Sequence, residues 1–323
     1  MRIAFFDTKP YDKIWFDRYC TDSMEIKYFE GKLHPDSAIL ARNYDVVVAF
    51  VNDNINEKTL SILVENGVKL LAMRCAGYNN IDLAYAKGKI PIVRVPGYSP
   101  YAVAEHAMAM LLCLNRKIHR AFNRTREYNF SINGFTGWDL HGKTAGVIGT
   151  GKIGQIFIEI CKGFGMEVLA YDPYPAEGMD IHYVELEELF SRSDVISLHC
   201  PLTKETDRII NEESIRKMKR GVTIINTSRG ALIESEALLK ALREEYVRAA
   251  GLDVYEEETD LFYEDRSNTI IKDEVLSLLV SMPNVLLTSH QAFLTEEALE
   301  NIASVTIGNI RSFFEKHELE NEV

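Results

Sequence analysis

Between the β-rich run Thr144–Ile148 and a helix-like stretch beginning at Lys152 lie Gly149-Thr150-Gly151-Lys152-Ile153-Gly154, the pattern G-x-G-x-x-G. Such a pattern arises by chance in glycine-rich turns, so its context decides its meaning. Here a strand precedes it. An amphipathic helix follows, with Ile153, Ile156, Phe157, Ile160 and Phe164 on one face and Gly165 as its stop. Gly149 then permits the tight turn, Gly151 lets a pyrophosphate approach the backbone, and Gly154 allows helix and strand to pack closely. About 20 residues on, Asp172 ends the next strand-like run, placed to accept hydrogen bonds from ribose hydroxyls and to repel a 2′-phosphate. The expected cofactor is NAD rather than NADP, held by Gly149, Thr150, Gly151, Lys152, Ile153, Gly154 and Asp172.

The neighbouring sequence extends this unit into a sheet. Thr144–Gly149 and Glu167–Asp172 are followed by Asp194–His199, Thr223–Ser228, Ala249–Tyr255 and Val285–His290, giving six strands with helices between them. Upstream, Ile3–Phe6, Val46–Phe50, Lys69–Met73 and Ile92–Val95 are unbroken apolar runs, with Glu25–Phe29 a weaker one; such runs suit parallel strands covered on both faces. Val95-Pro96-Gly97-Tyr98-Ser99-Pro100 concentrates chain breakers and opens a long helix from Tyr101 to Phe122. Thr295-Glu296-Glu297 caps a last helix toward Lys316, which has no strand after it and is most economically packed on the first domain. The expected class is α/β with two doubly wound parallel-sheet domains and a cleft between them. A smaller flavodoxin-like domain takes 1–99 and 294–323, and a Rossmann dinucleotide-binding domain takes 100–293. The chain of 323 residues is long enough for two such cores.

Charge and cysteine usage exclude several other classes. Asp and Glu number 48 against 36 Lys and Arg, a net charge of -12 with no basic stripe for nucleic acid. An anionic substrate then needs locally placed cations or backbone N–H groups. The five cysteines are widely spaced with no C-x-x-C pair, as in a reducing cytoplasm. No export signal opens the chain, and the apolar stretch Ala102–Leu114 is interrupted by Glu105 and His106 and is too short for a bilayer. The expectation is a cytoplasmic protein without membrane or nucleic-acid partners.

Open α/β sheets bind ligands beyond the carboxyl ends of their strands. Thr227-Ser228-Arg229-Gly230 follows one late strand, Glu256, Glu257 and Glu258 follow the next, and His290 ends the last. Singly, the arginine could pair with a surface acid, the glutamates could be a solvated loop and the histidine could be a core residue. Together, beside a nicotinamide site, they suit carbonyl reduction. A developing alkoxide needs a proton donor and a 2-oxo acid needs a fixed cation, supplied by His290 and Arg229, while a carboxylate orients the imidazole. His199 is the rival imidazole, but it belongs to an earlier strand and is assigned to the cofactor lining. His106, His119, His141, His182, His34 and His317 are assigned structural or solvent roles. No cluster has metal-ligand spacing, so no metal is expected.

These residues resemble the D-isomer-specific 2-hydroxyacid dehydrogenase family. The strings that carry the resemblance are Arg74–Asp82, Val103–Leu112, Gly142–Gly154, Asp194–Thr203, Asn226–Ile233, Gly251–Glu258 and Ser289–Leu299, in order along nearly the whole chain. The resemblance implies that the first domain binds substrate and that Arg229 holds the substrate carboxylate and carbonyl. It further implies that His290 is the proton donor, that Glu258 pairs with it, and that the N–H groups of Cys75, Ala76 and Gly77 grip the carboxylate. Tyr101 would reach the substrate and Phe293 would limit the pocket around its methyl group. Cys200, Pro201, Thr206, Thr227, Ser228 and Asp253 join His199 on the cofactor side. The activity implied is reversible NADH-dependent reduction of pyruvate to D-lactate, in a homo-oligomer, a dimer or a tetramer, paired through the helix Tyr101–Phe122. A bulkier 2-oxo acid such as phenylpyruvate or 2-oxoisocaproate, and a non-catalytic NAD-sensing module, are the alternatives.

Overall fold

The computed structural model describes every residue except Glu177, Met179 and residues 257–260. The chain divides into two compact units, Met1–Ser99 with Leu294–Val323, and Pro100–Phe293.

In the first unit, β1 (Arg2–Phe5), β2 (Glu25–Tyr28), β3 (Val46–Ala49), β4 (Leu70–Met73) and β5 (Ile92–Val93) form a parallel sheet in the order β2-β1-β3-β4-β5. That is the flavodoxin-like order. The helices of this unit are α1 (Pro10–Tyr19), α2 (Glu57–Glu65) and α3 (Leu83–Ala86), joined by a terminal helix described below. Val46–Ala49 and Leu70–Met73 are buried at every position, as strands covered on both faces must be. Each such Val or Leu contributes roughly 1.5–3 kcal/mol of burial.

The second unit begins with α4 (Pro100–Arg116) and α5 (Ile118–Arg126). Its strands are β6 (Thr144–Ile148), β7 (Glu167–Tyr171), β8 (His182–Tyr183), β9 (Val195–Leu198), β10 (Val222–Asn226), β11 (Val247–Leu252) and β12 (Val285–Leu287). Between them run α6 (Lys152–Gly163), α7 (Leu186–Arg192), α8 (Glu212–Lys217), α9 (Ser235–Arg243) and α10 (Glu274–Ser281). The sheet is parallel in the order β12-β11-β10-β9-β6-β7-β8, so all carboxyl ends share one edge. This is the two-halved dinucleotide-binding order, reversing between β6 and β9. The terminal helix α11 (Glu296–Arg311) starts at Thr295, whose hydroxyl caps Ala298 N–H at 3.3 Å. Within the first unit, Asn301 Nδ2 donates to Tyr98 O and Asn309 Nδ2 to Arg94 O.

Three elements depart from the sequence expectation. The helix expected to run from Tyr101 to Phe122 breaks at Lys117, which has φ 51° and ends α4 before α5 begins. Lys117 Nζ donates to Thr136 O at 2.8 Å, a partner far outside the helical period. A seventh strand, β8, places His182 in the sheet rather than in a connection. Finally, α6 buries Gly154, Phe157, Ile158 and Cys161 against the sheet. Ile156 and Ile160 instead line a groove of about 860 Å³ with Met108, Ala109 and Leu112 of α4, and Phe164 is 40% exposed. The expected apolar stripe thus belongs largely to a second, outward face.

Candidate active site

Tight backbone approaches shape the glycine turn after β6. Gly149 has φ 95°, and a Cβ there would lie 2.5 Å from Cys200 N; a Cβ at Gly154 would lie 2.0 Å from Gly149 O. At Gly151, by contrast, a Cβ would meet nothing within 4 Å. Gly151 caps α6 in an extended conformation, leaving open space before the first-turn N–H groups of a twelve-residue helix. The N-terminal dipole and orphan donors there fit a pyrophosphate. Asp172, directly after β7, accepts Thr150 N–H at 2.6 Å and the Thr150 hydroxyl at 3.0 Å through Oδ2. Its other oxygen accepts Tyr174 N–H at 2.9 Å. The carboxylate is thereby anchored to the glycine turn, and the Tyr183 hydroxyl adds a bond to Thr150 Oγ1 at 3.0 Å.

The middle of the sheet edge carries His199 to Thr206. His199 pairs with the buried Ser197 hydroxyl through Nε2 at 2.9 Å and packs on Phe157 at 4.9 Å between ring centroids. Burial pushes its pKa down to about 3, so this imidazole is neutral and suited to lining rather than to proton donation. Cys200 is buried behind Gly149, and Ser228 Oγ donates to its carbonyl at 2.7 Å. Thr206 Oγ1 donates to Pro201 O at 2.7 Å, closing that turn. Thr227 is buried at the end of β10, its hydroxyl without a hydrogen-bond partner among the described residues.

Arg229 follows β10 and starts a short helical turn at Gly230, where a Cβ would lie 2.0 Å from Tyr255 C. Asn226 Nδ2 donates to Arg229 O at 2.9 Å, and the guanidinium donates to Ser228 O at 2.7 Å. The arginine backbone is thus held by the strand that precedes it. Of the three glutamates, Glu256 pairs with Arg208 at 2.7 Å and accepts Ser235 N–H, a structural use. Glu257 and Glu258 lie outside the described residues.

His290 stands beyond β12 with φ 48°, a left-handed conformation that costs a non-glycine residue about 1–3 kcal/mol. Its N–H donates to Asp253 O at 2.7 Å and to Thr288 O at 3.1 Å, and its carbonyl accepts the Tyr263 hydroxyl at 2.8 Å. The Tyr263 ring lies 6.1 Å from the imidazole, centroid to centroid. No sequence signal marks Tyr263, which sits in a loop without periodicity.

Asp253, expected to face the nicotinamide, is fully buried at the end of β11. Its Oδ1 accepts the Thr288 hydroxyl at 2.6 Å and Gln291 N–H at 2.9 Å, and its Oδ2 accepts Ala292 N–H at 2.8 Å. Burial raises its carboxyl, but bonds from His106, Thr288, Ala292 and Gln291 outweigh it and hold the pKa below the ordinary 3.8. Phe293, next along, is buried.

Tyr101 is 61% exposed and lines the groove between α4 and α6. In the first unit, the expected carboxylate grip follows β4. Cys75 O accepts Val95 N–H at 3.2 Å, Ala76 O accepts Arg94 Nη1 at 3.0 Å, and Gly77 O accepts the Cys75 thiol at 3.3 Å. With three successive carbonyls pinned, the loop has a defined backbone. Arg74, just before it, is buried, with Nη1 3.4 Å from Asp12 and Nη2 donating to Asp7 O at 2.7 Å. It is therefore a structural cation of this unit. Among the described residues, no group of three or more His, Cys, Asp or Glu side chains could hold a metal ion.

Residues 108–292 match the model of the D-isomer specific 2-hydroxyacid dehydrogenase NAD-binding domain. The chain belongs to the D-isomer specific 2-hydroxyacid dehydrogenase family, and its cofactor is NAD. It is 48% identical to D-lactate dehydrogenase of Escherichia coli over the whole of both chains, and 50% identical to a 2-hydroxyacid dehydrogenase homolog of Haemophilus influenzae, covering 96% of this chain and 95% of that protein. Among solved structures, the apo form of the Escherichia coli enzyme superposes with a TM-score of 0.92 at 46% identity over the full length of both chains. A D-lactate dehydrogenase from Aquifex aeolicus complexed with NAD and lactic acid gives 0.85 at 33% identity, covering 97% of this chain and 96% of that one.

Proposed function

We propose that the protein is an NAD-dependent D-lactate dehydrogenase, reducing pyruvate to D-lactate and running in reverse on D-lactate. The observation that carries the reading is the placement of Arg229 beyond β10 and His290 beyond β12 on one carboxyl edge of a sheet whose β6–α6 turn fits a dinucleotide. Bound NADH supplies the hydride. Arg229 offers the planar, permanently charged fork that matches a carboxylate and its neighbouring carbonyl. His290 donates the proton that the reduced oxygen requires, and Glu258 is assigned to pair with that imidazole. The N–H groups of Cys75, Ala76 and Gly77 are assigned to the substrate carboxylate, which suits a protein with a net charge of -12. Phe293, buried beside the His290 turn, is assigned to the methyl end of the substrate.

The apolar α4–α6 groove, lined by Met108, Ala109, Leu112, Ile156 and Ile160 with Tyr101 exposed at its edge, supports a homo-oligomer paired through these helices, a dimer or a tetramer. All five cysteines are free thiols, which supports a reducing cytoplasm, and a fermentative role there belongs to the same reading. No helix among the described residues is long and apolar enough to cross a membrane.

The test is NADH oxidation with pyruvate beside phenylpyruvate, 2-oxoisocaproate and hydroxypyruvate, with chiral analysis of the product. Preferred turnover of pyruvate giving the D-isomer is expected. Preference for a larger acid would overturn the role given to Phe293, and no turnover with any acid would favour an NAD-sensing module.

A further inference from the structure

His106 lies on α4, which packs against β10, β11 and β12, and its side chain retains only 20% of its exposure. Its Nε2 is 3.3 Å from Thr288 Oγ1 and 3.4 Å from Asp253 Oδ1. The Thr288 hydroxyl has a single proton, and its 2.6 Å bond to Asp253 Oδ1 uses it. Thr288 Oγ1 therefore faces the imidazole as an acceptor, and Nε2 must carry the hydrogen, shared between the hydroxyl and the carboxylate. The tautomer follows from the surrounding donors and acceptors.

We propose that His106 is a positioning residue for the reduction: through Asp253 and Thr288 it holds the turn that presents His290. Two of the groups that His106 touches are the ones that build this turn. Asp253 binds Gln291 N–H and Ala292 N–H through its carboxylate and His290 N–H through its carbonyl, while Thr288 O takes a second bond from His290 N–H. His290 is left-handed, so its backbone keeps this conformation only while these bonds over-determine it. His106 adds a side-chain donor to this cluster from α4. It ties the carboxylate oxygen that accepts Gln291 N–H to α4. Without that donor, Asp253 Oδ1 keeps two bonds but loses its tie to α4, and the error is passed to the imidazole two residues beyond Thr288. A proton donor displaced by a fraction of an ångström loses rate before it loses ligand affinity.

This inference rests on His290 being the proton donor. The experiment compares wild type, His106→Leu, which removes the donor and keeps the bulk, and His106→Gln, which keeps an amide donor at similar reach. His290→Ala is carried alongside. For pyruvate reduction, His106→Leu is expected to lower kcat by about tenfold, with the NADH dissociation constant within about twofold of wild type. Amide hydrogen exchange read by mass spectrometry should accelerate at Gln291 and Ala292 and at none of the strand amides of the sheet. His106→Gln should recover most of both. Unchanged kcat in His106→Leu, a lower kcat with unchanged exchange at these two amides, or an equal loss in the Gln variant with exchange raised throughout the sheet would each overturn the proposal. If His290→Ala keeps its turnover, the functional reading fails instead, and the exchange data still report whether His106 restrains the turn.

Discussion

The backbone N–H of His290 donates to the backbone carbonyl of Asp253 at 2.7 Å, tying the end of β11 to the residue beyond β12. The same aspartate binds the next two amides through its carboxylate. One buried residue thus stabilises a conformation that the histidine would not adopt alone, offsetting a cost of about 1–3 kcal/mol. The position of the imidazole is a property of the strand ends rather than of a flexible loop.

Asp253 makes the protein acid-sensitive in a defined direction. Its folded pKa lies below the ordinary 3.8, so its stabilising contribution is present above that value and is lost as pH falls through the lower folded value. Asp253→Asn should be less stable than wild type at pH 7 and show a smaller loss between pH about 4 and pH about 2. Urea midpoints measured across that range check it. An unchanged acid slope in the variant would contradict the bonding described.

The second and third glycines of the cofactor turn should fail in different ways. A Cβ at Gly154 meets Gly149 O at 2.0 Å, so Gly154→Ala should cost about 1–3 kcal/mol and lower the thermal midpoint. Gly151→Ala meets open space, so the midpoint should stay and NADH binding should weaken. Calorimetry and NADH fluorescence separate the two; equal loss of stability in both variants would rule out the cradle.

Replacing Arg229 by Lys should lower kcat/KM for pyruvate by about a hundredfold while leaving the NADH dissociation constant within about twofold. A point charge cannot copy the two-pronged contact of a guanidinium. Unaltered saturation by pyruvate would remove Arg229 from the carboxylate.

Thiol chemistry should divide the cysteines. Burial pushes the Cys161 thiol up to about 12 and the Cys200 thiol up to about 11, and Cys75 is also buried. Cys20 and Cys113, half-buried, should be alkylated first by iodoacetamide under native conditions. Mass spectrometry of the digest reads the order, and early labelling of Cys161 would contradict the packing of α6 on the sheet.

Much of this molecule is legible in its residues because strand, turn, helix and acid around Gly149–Gly154 agree at every level. The apolar runs Val46–Ala49 and Leu70–Met73 read as covered strands for the same reason. What escaped was set by tertiary context. Strand β8 is two residues long, too short for any periodicity to register. The break at Lys117 rests on a left-handed backbone in a residue that ordinarily extends a helix. The stripe Ile153, Ile156 and Ile160 is apolar, yet the sheet takes the face of Phe157 and Cys161, since both faces of α6 carry hydrophobic side chains. His106 reads as an isolated histidine on an apolar helix; the available signal was its place one turn before Met110, on a face turned toward the sheet. Its partners, Asp253 and Thr288, are separated from it by far more chain than any spacing rule spans.

The most direct measurement compares pyruvate-dependent NADH oxidation by wild type and His290→Ala, with NADH binding recorded on the same preparations. Turnover should collapse in the variant while NADH affinity stays within about twofold of wild type, because the imidazole supplies a proton rather than a cofactor contact. Equal turnover in the two proteins would contradict the assignment of His290 as the proton donor.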